Sequence, residues 1–482
     1  MSSGLFSLLF FFYDIMMRKV CLLSLFLTLV VRNVFCQDVL QPETDPVVTD
    51  RIEEWQGLKF GFMMHWGIYS QWGVVESWSI CNEPWIDRKG ANYVDYVREY
   101  QALNSSFNPV DFNPEEWADI AEEAGMKYVV FTTKHHDGFC MFDTEETDYC
   151  ITDSTCPFSS DPRADVTAGI LEAFRARGFW TGLYFSKADW HHPDYWAPEW
   201  ATPDRNVNYD PQTYPDRWQR FCDFTYNQIK ELTHNYGDVD ILWLDGGWIR
   251  PENTITDEYR PWLGCQGWIQ DIDMPKIASM ARENNPDLII VDRTVHGKYE
   301  NYQTPEQQVP DSLLSYPWET CMSMGDSWSY VETDNYKTTN KIIHLLIDIV
   351  AKGGNYLLNV GPDAKGNLPP TAVSRMKEIG KWMKINGDAI YETKPFYPYA
   401  NDKLRFTQNK NGKVNVFYLL DENETVPDSI VITDIDRLKT GNVKIKGSKT
   451  KAYLTKTSEG YEIHINDKID AEHAVVFEIY QK

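Results

Sequence analysis

From about residue 50 to residue 390, short and densely apolar runs alternate with stretches whose apolar positions recur every three to four residues. The first pattern predicts strands buried on both faces and the second predicts amphipathic helices, so the region reads as a series of β/α units. Strands are expected at Lys59–His65, Lys127–Lys134, Trp180–Ser186, Val239–Asp245, Leu288–Arg293 and Asn355–Val360. The clearest helix spans 113–125: Asn113 can cap it, Pro114 and two glutamates follow, and Gly125 ends it. The scheme returns at 165–178, with Val166, Ile170, Leu171 and Phe174 on one face, and further helices are expected at 217–236, 274–284, 336–351 and 371–386.

After Tyr391 the pattern changes. Short runs at 413–420, 429–433, 442–445, 451–455, 461–465 and 474–480, separated by turn residues, predict a small all-β module. The expected organisation is one large α/β unit over 51–392 and the β module over 393–482. Residues 37–50 are polar and contain proline, which reads as a linker. Ahead of them, Met16-Met-Arg-Lys19 is basic, 20–31 is an apolar run of signal-peptide length, and Val34-Phe-Cys36 before Gln37 resembles a cleavage site. Residues 1–36, with a functional start at Met16 or Met17, are therefore expected to direct export. The apolar run is too short to span a bilayer, so no membrane insertion of the mature chain is expected.

The net charge of −25, from 46 basic and 71 acidic residues, argues against nucleic acid and anionic membranes as partners, since both are recognised by basic patches. The 18 Trp, 27 Tyr and 23 Phe suit the apolar faces of sugar rings as well as a core. Cleavage after Cys36 leaves Cys81, Cys140, Cys150, Cys156, Cys222, Cys265 and Cys321, without metal-type spacing. Cys150 and Cys156 could bridge in an oxidising compartment, and the odd number leaves at least one free thiol.

Candidate chemistry gathers at the strand ends. Asp245 closes the apolar run Val239–Leu244, and a carboxylate there is costly unless it is hydrogen-bonded or used. Met64-His65-Trp66, Lys134-His135-His136-Asp137, Tyr184-Phe-Ser-Lys187 and Asp292-Arg293 end four other strands. In a barrel of parallel strands such ends converge on one mouth, where catalytic side chains are placed. His65 alone reads equally as a rim residue or a ligand contact, and Arg293 as a partner of Asp292 or a substrate contact. Adjacent strand residues point oppositely, so His135 and His136 do not readily hold one ion unless the strand has ended; no metal and no cofactor are expected. Glycoside hydrolysis would need a second carboxyl, for which Glu300, Glu306 and Glu319 are all within reach of a loop.

Four motifs, Phe60-Gly-Phe-Met-Met-His-Trp-Gly-Ile-Tyr-Ser70, Thr133-Lys-His-His-Asp-Gly-Phe139, Trp243-Leu-Asp-Gly246 and Gly353-Gly-Asn-Tyr-Leu-Leu-Asn-Val-Gly-Pro362, together resemble glycoside hydrolase family 29, the α-L-fucosidases. The resemblance covers roughly residues 50–395. It implies a (β/α)8-like, TIM-type barrel, a C-terminal antiparallel β-sandwich, and a retaining, metal-free double displacement on a fucosylated glycan. Asp245 matches the nucleophile, and His65, His135 and His136 match histidines that bind fucose hydroxyls. Tyr184, Trp243, Arg293 and Trp318 look like pocket neighbours, with Trp78 as a further wall. Glu306 best resembles the acid/base, with Glu319 in reserve. Competing readings are an exo-glycosidase for a related sugar such as an α-L-galactoside, an inactive sugar-binding barrel, and a metal-dependent hydrolase built around His135.

Overall fold

The computed structural model describes residues 41–481 apart from Lys89, Glu258, Cys265 and Gln266, so residues 1–36, expected to direct export, lie outside the described residues. Seven parallel strands form one curled sheet: β1 Phe60–Met64, β2 Tyr128–Lys134, β3 Trp180–Ser186, β4 Ile241–Asp245, β5 Ile289–Asp292, β6 Glu319–Ser323 and β7 Asn355–Val360, in the order β5-β4-β3-β2-β1-β7-β6. The gap between β5 and β6 is spanned by an irregular segment, residues 300–306. Glu300 bridges Val291 of β5, while Gln303 and Glu306 bridge Trp318 and Cys321 along β6. The (β/α)8-like architecture is thus present, with a non-canonical eighth stave that carries Glu306.

Strand alternation decides what faces the interior. In β4, Ile241 and Trp243 pack inside with Met63, Val130, Tyr184, Ile289 and Val291, whereas Leu242 and Leu244 pack outward against the helices. The outer layer includes α1 Pro46–Leu58, α2 Tyr93–Gln101, α3 Pro114–Ala124, α4 Val166–Arg175, α5 Pro215–His234, α6 Met274–Asn284, α7 Thr339–Ala351 and α8 Pro370–Asn386. Helix α1 behaves differently from the others. Asp45 caps it, and Val48, Ile52 and Trp55, on one face, join the interior cluster, with Trp55 stacked on Tyr302 at 3.9 Å. It therefore takes residues 46–50 out of the segment read as a linker.

The remaining strands, β8 Thr393–Asn401, β9 Leu404–Asn409, β10 Lys413–Leu419, β11 Ser429–Thr433, β12 Gly441–Ile445, β13 Ala452–Lys456, β14 Gly460–Ile465 and β15 Ala474–Tyr480, form an eight-stranded antiparallel sheet with its own core. It is tied to the barrel through Trp382 Nε1 of α8, which donates to Ala474 O at 3.1 Å, and through the Arg405–Asp348 ion pair to α7. Strands β6, β8 and β9 and helices α1 and α2 were not expected. Glu319-Thr-Cys-Met-Ser has no continuous apolar run, so its burial comes from the barrel around it. Cys150 and Cys156 are free thiols, contrary to the suggested bridge: Cys156 Sγ donates to Phe107 O at 3.2 Å and Cys150 Sγ lies 3.4 Å from Thr152 Oγ1.

Candidate active site

The expected residues meet at the C-terminal mouth of the sheet. Asp245 is the last residue of β4 and, being in phase with Ile241 and Trp243, faces inward. The chain then leaves through Gly246 at φ +89°, and a Cβ on Gly247 would lie 2.0 Å from Thr294 Oγ1, so this close turn requires glycine. Arg293 follows β5 and also faces inward, whereas its neighbour Asp292 points outward to an ion pair with Lys187. Arg293 is therefore not spent on Asp292. Its guanidinium lies between two carboxylates, donating to Asp245 Oδ1 at 3.2 Å and pairing with Glu306.

Asp245 also accepts from Tyr184 Oη at 2.7 Å, and His136 Nε2 stands 3.7 Å from the same carboxylate oxygen. Burial alone would raise this carboxyl, but Arg293, His136 and the Tyr184 hydroxyl outweigh it and hold Asp245 well below the usual carboxylate range. Asp245 is ionised throughout the physiological range.

The strand ends at Lys134, so His135 and His136 no longer alternate. A register irregularity between Thr132 and Lys134 turns Lys134 outward, to Asp189 at 3.2 Å and Gln228 at 2.9 Å, and both imidazoles reach the mouth with ring centres 4.3 Å apart. Burial is the main reason that all three site histidines lose basicity: His65 and His136 are pushed down to about 4 and His135 falls as well. They are neutral at neutral pH, so their tautomers matter. Ser186 Oγ donates to Ala188 O at 2.7 Å and so accepts from His136 Nδ1 at 2.6 Å. The Asn359 carbonyl oxygen likewise accepts from His65 Nδ1 at 2.8 Å. Both rings then present an unprotonated Nε2 to the pocket. His135 Nδ1 pairs with Ser77 Oγ. The His136 lone pair faces a carboxylate oxygen with no proton between them, a slot that favours a hydroxyl donor.

Aromatic rings surround this polar centre. Tyr184 stacks between His135 at 5.4 Å and Trp243 at 5.3 Å. Trp78 meets the edge of His136 at 5.3 Å. Three further walls, Trp190, Trp248 and Trp328, were not expected: the first two lie 5.1 and 5.2 Å from His136 and the third lies 5.0 Å from His65. All three enter from loops, where no periodicity marks them. Glu76 was also passed over. It sits at φ +28°, buried, its carboxylate accepting from Ser329 N at 2.9 Å. Burial pushes it up to about 7, opposed by the Ser329 amide and reinforced by the charge of Glu306. Its backbone conformation marks it in the structure, but nothing in the local sequence does.

Two expected residues lie elsewhere. Trp318 precedes the inward-facing Glu319 and therefore points outward, into the layer between sheet and helices, against Gly354. Glu319 opens β6 at the opposite, N-terminal end of the strands. There it accepts from Tyr128 Oη at 2.5 Å and Trp243 Nε1 at 3.3 Å, and burial pushes it up to about 7. Glu300 also faces away, accepting the backbone amides of Thr294 and His296 at 2.8 and 2.9 Å. Of the three carboxyls considered, only Glu306 reaches the mouth, with its side chain 44% exposed.

An ionised aspartate and unprotonated imidazoles, walled by indoles at a barrel mouth, are the arrangement of a glycoside hydrolase, and the family match shows that class. The chain belongs to the alpha-L-fucosidase family, whose model matches residues 28–388. The alpha-L-fucosidase of Dictyostelium discoideum is 28% identical over 466 residues, 92% of this chain and 92% of that protein. Alpha-L-fucosidase isoenzyme 1 from Paenibacillus thiaminolyticus superposes with a TM-score of 0.73 at 29% identity, covering 90% of this chain and all of that one. A Bacteroides thetaiotaomicron alpha-L-fucosidase, trapped as a covalent intermediate with 2-fluoro-fucosyl fluoride, shares the fold at a TM-score of 0.71 and 22% identity, covering 92% and 97% of the two chains.

Proposed function

We propose that the protein removes terminal α-L-fucosyl residues from glycans by a retaining double displacement, with Asp245 as nucleophile and Glu306 as acid/base. The observation that carries this reading is the single guanidinium of Arg293 held between the two carboxylates. Sharing one guanidinium brings both carboxyls to the same mouth, which supports a paired nucleophile and acid/base such as retaining enzymes use, about 5–5.5 Å apart.

In the first step an Asp245 oxygen attacks the anomeric carbon while the bond to the leaving oxygen breaks and Glu306 gives that oxygen its proton. In the second, Glu306 takes a proton from water, the hydroxyl attacks the anomeric carbon, and Asp245 leaves as carboxylate. Ring hydroxyls donate to Nε2 of His65 and His136, which neutral histidines allow and imidazolium ions would not. The indole walls suit the apolar methyl group that fucose carries at C6. His135, His136 and Asp245 offer ligand atoms within 4.8 Å of one another. Arg293 and Tyr184 already occupy that carboxylate, and a guanidinium beside it opposes a divalent cation, so the arrangement favours a hydroxyl. The catalytic assignment is tested with Asp245→Ala, which should abolish turnover of an aryl α-L-fucoside and regain it with azide as an inverted fucosyl azide. Full activity in that variant would end the assignment. The basic and apolar segment at 16–36 supports export, and an intact Met16–Cys36 segment on protein recovered from its native compartment would contradict it.

A further inference from the structure

An aromatic path leads out of the site. His136 is buried, the Trp78 ring is half-buried 5.3 Å from it, and Trp85, a further 6.0 Å away, is 58% exposed. Exposure alone would mean little, since Trp200 is 62% exposed as well, but Trp85 continues the ring series out of the site and is held in place. Trp85 Nε1 donates to Glu83 Oε2 at 2.6 Å, and the other oxygen of that buried carboxylate accepts from Arg205 Nε at 2.6 Å. The Arg205 guanidinium in turn lies over Trp78 at 5.0 Å and over Trp248 at 5.4 Å, the two rings that flank His136. One charge pair thus locks the outer indole to the inner walls, while its face stays in solvent.

We propose that Trp85 is a stacking platform for the sugar next to the fucose, so that the glycan leaving group is a pyranose presenting its apolar C–H face rather than a small alcohol. The proposal rests on the fucosidase reading above. Its ligand follows from continuity with that site: the next group outward from the anomeric carbon must leave past the rim, and a preorganised indole there gains contact without ordering a side chain. Glu83 and Arg205 act as positioning residues for the ring.

The test compares Trp85→Ala and Trp85→Tyr with the unaltered enzyme on two kinds of substrate. α-L-Fucosyl fluoride has no sugar leaving group; the others are defined fucosyl disaccharides covering each linkage to galactose and N-acetylglucosamine. Trp85→Ala should lower kcat/KM roughly three- to tenfold on the best disaccharide, the size of one aromatic contact, and leave fucosyl fluoride hydrolysis within about twofold. Trp85→Tyr, which keeps a ring, should recover most of the loss. Equal losses on both substrates, or no loss on any disaccharide, would overturn the platform. An unaltered enzyme inert toward fucosyl fluoride would instead overturn the reading of Asp245 on which it rests.

Discussion

Asp245 and Glu319 are carboxylates inside one barrel, separated by Trp243 and pushed in opposite directions. At the mouth, Asp245 meets a guanidinium, a tyrosine hydroxyl and two imidazoles, and is held far below the usual range. At the other end Glu319 meets a hydroxyl and an indole N–H, with Arg293 only a distant influence, and is pushed up to about 7. Burial is the largest influence at both and raises both, but at Asp245 its neighbours overturn it. The difference is the neighbouring cation, which keeps Asp245 charged while Glu319 still holds its proton up to about 7. Tyr184 and Trp243 connect the two ends, since Tyr184 donates to Asp245, Trp243 donates to Glu319, and the rings stack on one another.

Removing the charged member should have the largest effect. Asp245→Ala should lower kcat by on the order of 10⁴-fold or more in steady-state assays with an aryl fucoside. Glu306→Ala should cost roughly 10²–10⁴-fold on glycan substrates and much less on aryl fucosides with good leaving groups. A leaving-group dependence that follows Glu76→Gln or Glu319→Gln instead would move the acid/base assignment there. Arg293→Gln should erase part of the contrast between the two carboxylates. Without the guanidinium the Asp245 carboxyl rises, so the acid limb of the kcat/KM profile should move up by about one to three pH units.

Glu319 should matter for stability more than for rate. Glu319 binds its proton more tightly folded, near 7, than unfolded, at 4.5. The folded state therefore holds more protons between those values, and stability falls as pH rises through that window, by up to about 3 kcal/mol from this group. Glu319→Gln should flatten the pH 4.5–7 slope in denaturant titrations while leaving kcat within a few-fold. Ser186→Ala should have the smallest effect, a severalfold rise in KM as the His136 tautomer is freed, with the protein still folded.

The mouth was legible in the sequence because regular strands end there. A greasy run closing on Asp245, and imidazoles after β1 and β2, follow from alternation and barrel geometry. The same alternation, applied to β6, places Glu319 and Cys321 inside and Trp318 outside, but β6 has too little apolar character to be found first. Glu306 was legible only as one of several loop carboxyls, because the stave that carries it is irregular. Glu76, Trp190, Trp248 and Trp328 come from loops whose approach to the mouth depends on tertiary packing, which no local pattern encodes.

On the proposed mechanism Asp245 forms the bond to fucose. Incubation with 2-fluoro-fucosyl fluoride, followed by peptide mass spectrometry, should find one added 2-fluoro-fucosyl group on Asp245, with turnover lost in proportion to labelling. A label on Glu306 or Glu319, or an unlabelled enzyme that releases inverted product, would contradict the account.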